Sequence, residues 1–409
     1  MKTEWFTDAR FGMFIHFGLY SIPAGVWQGR KTGFPYAEWI QAAEKIPRKE
    51  YRKLAAQFDP ANFNAEQWAE YAANAGMKYL VVTSKHHDGF ALWPSKASNF
   101  NVAEATPFKR DILGELKEAC RKQGLRFGLY YSHWLDWEGT GGDISFRMEN
   151  GEYVHPEMSE FEKYWENKCL PQIGELMVYD PDLIWFDTWD DPYSLKYITS
   201  EKQEQLISLI RSNSDKCLIN SRIQLTSPSE NVDFISNHDN AFPDSGEGKP
   251  WETSGTMNDS FGYHALDFEW KNTETLIRNL IHNASLGGNY QLNVGPTGAG
   301  AFPRPAVKRL NEIGAWLGAN RESIYTTRPS NFVFDGGKAT ASKDGKTLFL
   351  HMLERKGNTL FLPNLSAKRA VVLETGQEAA IENTVKGARL TIPEQAFRLG
   401  VPVIAVETG

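Results

Sequence analysis

Cysteine is scarce in this chain of 409 residues. Cys120, Cys169 and Cys217 are far apart and odd in number, without metal-ligand spacing, which argues against a disulfide framework and leaves structural thiols. No apolar run approaches membrane-spanning length, so no membrane partner is expected. A basic block is also missing. Lys and Arg total 44 against 51 Asp and Glu, a net charge of −7, which argues against a nucleic-acid partner. No Gly-rich phosphate loop opens a helix, and no Gly-x-Ser-x-Gly elbow is present, so nucleotide binding and serine hydrolysis have no support. Nothing implies a cofactor. The opening Met1-Lys2-Thr3-Glu4-Trp5 carries no signal peptide and leaves the cellular compartment open.

Aromatic residues, by contrast, are plentiful at 13%, with 13 Trp, a composition that suits a carbohydrate surface as well as an aromatic core. Short apolar runs alternate with amphipathic stretches as far as Tyr325. Strands are predicted at Phe11 to Phe17, Tyr79 to Thr83, Leu125 to Tyr131, Leu183 to Phe186, Cys217 to Asn220, Val232 to Ile235 and Tyr290 to Val294. Helices are predicted around Tyr36 to Ala56 and over Ala65 to Ala75, Asp111 to Gln123, Glu157 to Val178, Glu201 to Ser212, Asn272 to Ser285 and Pro305 to Gly318. This alternation implies an α/β fold, a TIM-like (β/α) barrel over residues 1–326, with irregular closure because about seven strands are visible. Residues 327–409 change to short β-type runs separated by Gly, Asn and Pro, beginning at Asn331 to Phe334, and read as a C-terminal antiparallel β-sandwich.

Polar groups cluster where the barrel strands run out. Asp187 follows Leu183 to Phe186 and is flanked by Trp185 and Trp189. An acid among indoles offers apolar walls to a sugar ring and a fixed negative charge to the cation that develops on cleavage. One such Asp, taken alone, is more simply a helix cap. The arrangement recurs, however: His16, His86-His87-Asp88, Tyr130-Tyr131-Ser132-His133, Arg222, Asn237-His238-Asp239-Asn240 and Asn293 all end strands and should open on one face of the barrel. Glu38-Trp39 pairs a hydroxyl acceptor with an indole that can cover a sugar face. No metal is expected. Adjacent side chains on an extended segment point opposite ways, so His86 and His87 sharing one ion would be awkward, and no cysteine or well-spaced carboxylate completes a ligand set.

These segments resemble the α-L-fucosidases of glycoside hydrolase family 29. Five carry the likeness: Trp5 to Ser21, which contains Arg10 to Gly18, then Lys85 to Phe90, Tyr130 to Ser132, Asp182 to Asp187 and Ser285 to Pro296. They span the whole barrel in order. The resemblance implies a retaining exo-hydrolase of terminal α-L-fucosides that works through a covalent glycosyl-enzyme on a fucosylated glycan or glycoconjugate. Asp187 matches the nucleophile, and His16, Glu38, Trp39, His86, His87, Tyr131, Trp185 and Arg222 match fucose-binding positions. For the acid/base, Asp239 is preferred because it directly follows a strand end, and Glu252, farther along a loop, is the rival. Phe34, Trp39 or Phe261 could meet the 6-methyl group of the sugar. The loops Gly139 to Glu152 and Ala241 to Lys249 are expected to set linkage and aglycone. Two other readings stay open: a fucose-binding protein without catalysis, and a hydrolase of a related sugar such as galactose.

Overall fold

The computed structural model describes residues 2–149, 152–398 and 400–408. Eight strands, all parallel, form one curled sheet: β1 Phe11–Ile15, β2 Tyr79–Lys85, β3 Arg126–Tyr131, β4 Leu183–Phe186, β5 Leu218–Ile219, β6 Ile235–Ser236, β7 Trp251–Thr256 and β8 Asn289–Val294. Their spatial order is β6-β7-β8-β1-β2-β3-β4-β5. The two edges meet through a parallel bridge between Asn220 and Phe234, so the sheet closes on itself as a TIM-like barrel at its weakest pair of strands.

Strand β7 was not expected. After Trp251 its sequence, Glu-Thr-Ser-Gly-Thr, carries no apolar side chain larger than a methyl group, yet all of the strand is buried. The polar groups are satisfied in place. Glu252 receives hydrogen bonds from Tyr79, Trp185 and Ser236, and the Ser254 hydroxyl donates to Gln291. Buried polar groups are tolerable only on such terms, and hydrophobic patterning cannot reveal them.

Strand alternation sorts side chains into two layers. Phe14, Tyr79, Val81, Tyr130, Leu183, Trp185, Leu218 and Phe234 form an interior cluster. Phe6, on the short helix Glu4–Ala9, packs into this cluster against Phe234, with ring centroids 4.5 Å apart. Leu80, Val82, Leu129, Tyr131, Ile184 and Phe186 face outward into the larger core beneath the surrounding helices.

Most of those helices lie where periodicity and caps place them. Asp111 and Asn272 accept hydrogen bonds from backbone amides to open Ile112–Lys122 and Thr273–Ser285. The single helix expected over Glu157 to Val178 is instead Met158–Tyr164, a π-helical turn Trp165–Cys169 and Leu170–Met177. Pro171 sits in the first turn of the last piece and cannot donate a backbone N–H back into the preceding one. The stretch Tyr36 to Ala56 breaks into short turns and helices, with Pro47 before Arg48–Arg52.

From Arg328 onward, two antiparallel sheets face one another over a separate apolar cluster. They comprise β9 Arg328–Pro329, β10 Gly337–Ala341, β11 Thr347–Met352, β12 Thr359–Pro363, β13 Ala367–Val372, β14 Ala380–Thr384, β15 Gly387–Thr391 and β16 Val403–Thr408. Sheet orders are β9-β10-β11-β16-β13 and β12-β15-β14. The expected strand at Asn331 to Phe334 is irregular, although Phe334 still enters the apolar cluster. No described helix is long and apolar enough to cross a membrane.

Candidate active site

At the carboxyl ends of the barrel strands, a cavity of about 250 Å³ is lined by Phe34, Tyr36, Trp39, His87, Asp187, Trp189, Arg222, His238 and Asp239. A larger hollow on the sandwich, about 660 Å³, has its charged side chains Asp335 and Glu354 paired with Lys356 and gathers no histidine. Two acids, an arginine and imidazoles converge only at the barrel mouth, among the described residues that line these two hollows.

Arg222 organises the centre. It lies on the turn Ser221–Ile223 that follows β5, and its guanidinium rests on the Trp185 ring at 4.9 Å. One nitrogen donates to Asp187 Oδ1 at 3.0 Å and the other to Asp239 Oδ1 at 2.6 Å. Two carboxylates on adjacent nitrogens of one guanidinium fit the roughly 5–5.5 Å separation of retaining glycosidases better than the roughly 6.5–9.5 Å of inverting ones. Burial alone would lower the Arg222 pKa, but Asp239 and Asp187 raise it, so the cation is secure. Burial lifts the Asp187 carboxyl, Arg222 pulls it back, and Asp239 adds repulsion. The Tyr130 hydroxyl donates to Asp187 Oδ2 at 2.7 Å and also favours the ionised form. The Trp134 indole donates to the Asp187 carbonyl at 2.8 Å, fixing the backbone where β4 ends.

Hydrogen-bond roles settle the tautomers of two histidines. Ser132 Oγ donates to the Leu135 carbonyl, so its contact of 2.7 Å with His87 Nδ1 is donated by the imidazole. Nε2 of His87 then carries a lone pair, 3.7 Å from Asp187 Oδ2. Burial holds the His87 pKa well below its ordinary value, with Lys85 adding repulsion, so this approach is not an ion pair. Asn293 likewise gives its amide N–H to the Phe261 carbonyl and accepts from His16 Nδ1 at 2.7 Å. Burial brings His16 down to about 4. Both rings thus present neutral acceptors, the form that can take hydrogen bonds from sugar hydroxyls.

His16, His86, Glu38 and Phe261 are buried around the cavity and pack against its lining residues or one another. The His86 ring is 4.1 Å from that of His87 and stacks on Tyr130, and the Phe261 ring touches His16 and Tyr36. Glu38 Oε2 accepts from the Gly262 amide at 2.7 Å, and burial pushes its carboxyl up to about 7. A Cβ at Gly262 would meet Glu38 Oε2 at 3.0 Å, so the glycine makes this close approach possible.

Four expectations need correction. Tyr131 points away from the mouth: its hydroxyl donates to Gln172 at 2.8 Å in the outer core, and Tyr130 is the tyrosine inside. Glu252 is on strand β7 rather than on a loop, wholly buried near the amino end of the barrel, bonded to Tyr79, Trp185 and Ser236. His86 and His87 do not diverge, because β2 ends at Lys85 and the chain turns. Ligand atoms of His86, His87 and Asp187 lie within 4.8 Å of one another, the one group among the described residues able to hold a metal. Arg222 already supplies the positive charge there, so a dication would face electrostatic repulsion. Trp185 supports Arg222 and donates to Glu252 at 2.6 Å instead of lining the cavity. Trp189 and His238, read from sequence as strand-end groups, do line it, and so does Tyr36, which sequence placed only at the start of a helical stretch.

With this geometry in view, the comparisons with known proteins agree. Residues 1–322 match the family model for alpha-L-fucosidase. The alpha-L-fucosidase of Dictyostelium discoideum is 31% identical over 426 residues, covering 95% of this chain and 88% of that protein. A fucosidase of Lactobacillus casei, solved with its α-L-fucose product, is 40% identical with a TM-score of 0.70, covering 78% of this chain and 99% of that one. A fucosidase of Bacteroides thetaiotaomicron, solved as a trapped covalent intermediate with 2-fluoro-fucosyl fluoride, is 28% identical with a TM-score of 0.88, covering 100% of this chain and 96% of that one.

Proposed function

The chain belongs to the α-L-fucosidase family, and from that premise we propose how its residues divide the work of a retaining exo-hydrolase acting on terminal α-L-fucosides. Asp187 is the nucleophile and Asp239 the acid/base. The observation that carries this assignment is one of placement: Arg222 bonds to both acidic side chains and so brings them together at the mouth of the barrel.

In the first step an oxygen of Asp187 attacks the anomeric carbon while Asp239 gives a proton to the departing oxygen. The bond between them breaks, and a fucosyl ester on Asp187 remains. In the second step Asp239 takes a proton from water, which attacks the same carbon; the ester bond breaks, Asp187 leaves as its carboxylate, and fucose is freed with its configuration kept. Asp239 is the more open of the two, its side chain 36% exposed against 13% for Asp187, as suits the group that must admit water. The neutral nitrogens of His16 and His87 accept sugar hydroxyls, Trp39 covers an apolar face, and Phe261 meets the 6-methyl group. The substrate is fucosylated, and we take it to be a glycan or glycoconjugate. Fucose binding without catalysis and hydrolysis of galactose are not favoured by the family match.

Proton NMR of an aryl α-L-fucoside during turnover tests this reading. α-L-Fucose appearing before its β-anomer is expected. β-Fucose appearing first, or no release of fucose, would overturn it.

A further inference from the structure

A second hollow, about 560 Å³, adjoins the catalytic cavity and shares two of its walls, Phe34 and Trp39. On its far side the rings of His155 and Tyr193 stack face to face with centroids 3.7 Å apart. Ala42 and Ala43 keep the space between open. We propose that this hollow is the acceptor subsite, built for a neutral pyranose of the leaving group. The proposal rests on the fucosidase reading of the neighbouring cavity.

Three observations choose that occupant. The hollow continues from the cavity that contains Asp239, so a leaving group protonated there can extend into it. None of its lining residues is Asp, Glu, Lys or Arg, and burial keeps the His155 pKa below its ordinary value, so neither an acidic nor a basic group finds a partner. Trp39 and the His155–Tyr193 pair offer flat apolar faces, while the Ser145 and Tyr193 hydroxyls and the imidazole offer hydrogen bonds at their edges. A pyranose carries C–H faces and a hydroxyl rim, and uses both kinds of contact; an aryl group uses only the first. Ser145 belongs to the loop expected to govern aglycone choice. Tyr193 comes from the first turn of the helix Pro192–Tyr197, set by the Asp191 side chain, which accepts from its amide at 2.7 Å.

The test compares three substrates: α-L-fucosyl fluoride, whose leaving group is too small to reach the hollow, an α-L-fucosyl-N-acetylglucosamine disaccharide and 4-nitrophenyl α-L-fucoside. Tyr193→Ala and His155→Ala should each lower kcat/KM for the disaccharide roughly 5- to 20-fold while leaving fluoride hydrolysis within about 2-fold. An equal fall on fluoride and disaccharide, or none on the disaccharide, overturns the subsite. A fall confined to the aryl fucoside overturns a sugar as its occupant. A wild-type chain that leaves fucosyl fluoride intact overturns the fucosidase reading, and this one with it.

Discussion

The hydroxyl of Tyr130 donates a hydrogen bond of 2.7 Å to Asp187 Oδ2, while the next residue, Tyr131, turns the opposite way to Gln172. The bond stabilises the ionised carboxylate and lowers its pKa. In Tyr130→Phe that pKa rises, so the acidic limb of the kcat/KM profile moves to higher pH. Loss of a hydrogen bond to a charged group should cost roughly 10- to 100-fold in kcat/KM. Tyr131→Phe should leave the limb in place. Parallel pH–rate profiles of the two variants decide the matter; if Tyr131→Phe shifts the limb instead, the assignment of faces is wrong.

Asp187→Asn keeps the shape of the site but removes the attacking charge. Turnover of an aryl fucoside should fall by on the order of 10³-fold or more. Near-normal turnover would show that some other group attacks the anomeric carbon.

Asp239→Asn and Glu252→Gln separate the two candidates for the acid/base. The first should slow substrates with poor leaving groups roughly 10²- to 10⁴-fold, spare those with activated leaving groups in the first step, and recover with azide. The second alters a carboxyl that is wholly enclosed beneath Trp185, away from the cavity, and should leave the dependence on leaving group unchanged. A reversed pattern would return the role to Glu252.

Burial pushes the Glu252 carboxyl up to about 7 from its ordinary 4.5, against hydrogen bonds from Trp185, Tyr79 and Ser236 that act the other way. The folded protein therefore holds this proton over a range where the unfolded chain has released it. The resulting stability is fully present below about pH 4.5 and fades as pH rises to about 7, a difference of about 3 kcal/mol. Glu252→Gln should flatten that decline in thermal midpoint between pH 5 and pH 7.5, a range chosen to bracket the shift. Wild-type and variant midpoints that run parallel across it would mean the side chain ionises as it does in water.

Several features could be read from residue order alone. Apolar β-runs such as Tyr79 to Thr83 and Leu183 to Phe186 have few alternatives to buried strands, and Asp111 and Asn272 announce the helices they cap. The change of pattern near Thr327 follows from the same local preferences, and the long motifs around His16, His86, Asp187 and Asn293 carried the family. Three matters needed the tertiary structure. Strands buried on both faces read as continuous apolar runs, so nothing local tells which of Tyr130 and Tyr131 looks inward; pairing register and barrel curvature decide it. Strand β7 is polar because its partners are Tyr79, Trp185 and Gln291 from other strands, and hydrogen bonds between distant residues leave no local pattern. The joining of Asp187 to Asp239 through Arg222 arises only when β4, β5 and β6 lie side by side, because a charge pair is a fact of distance in space and not of spacing along a chain.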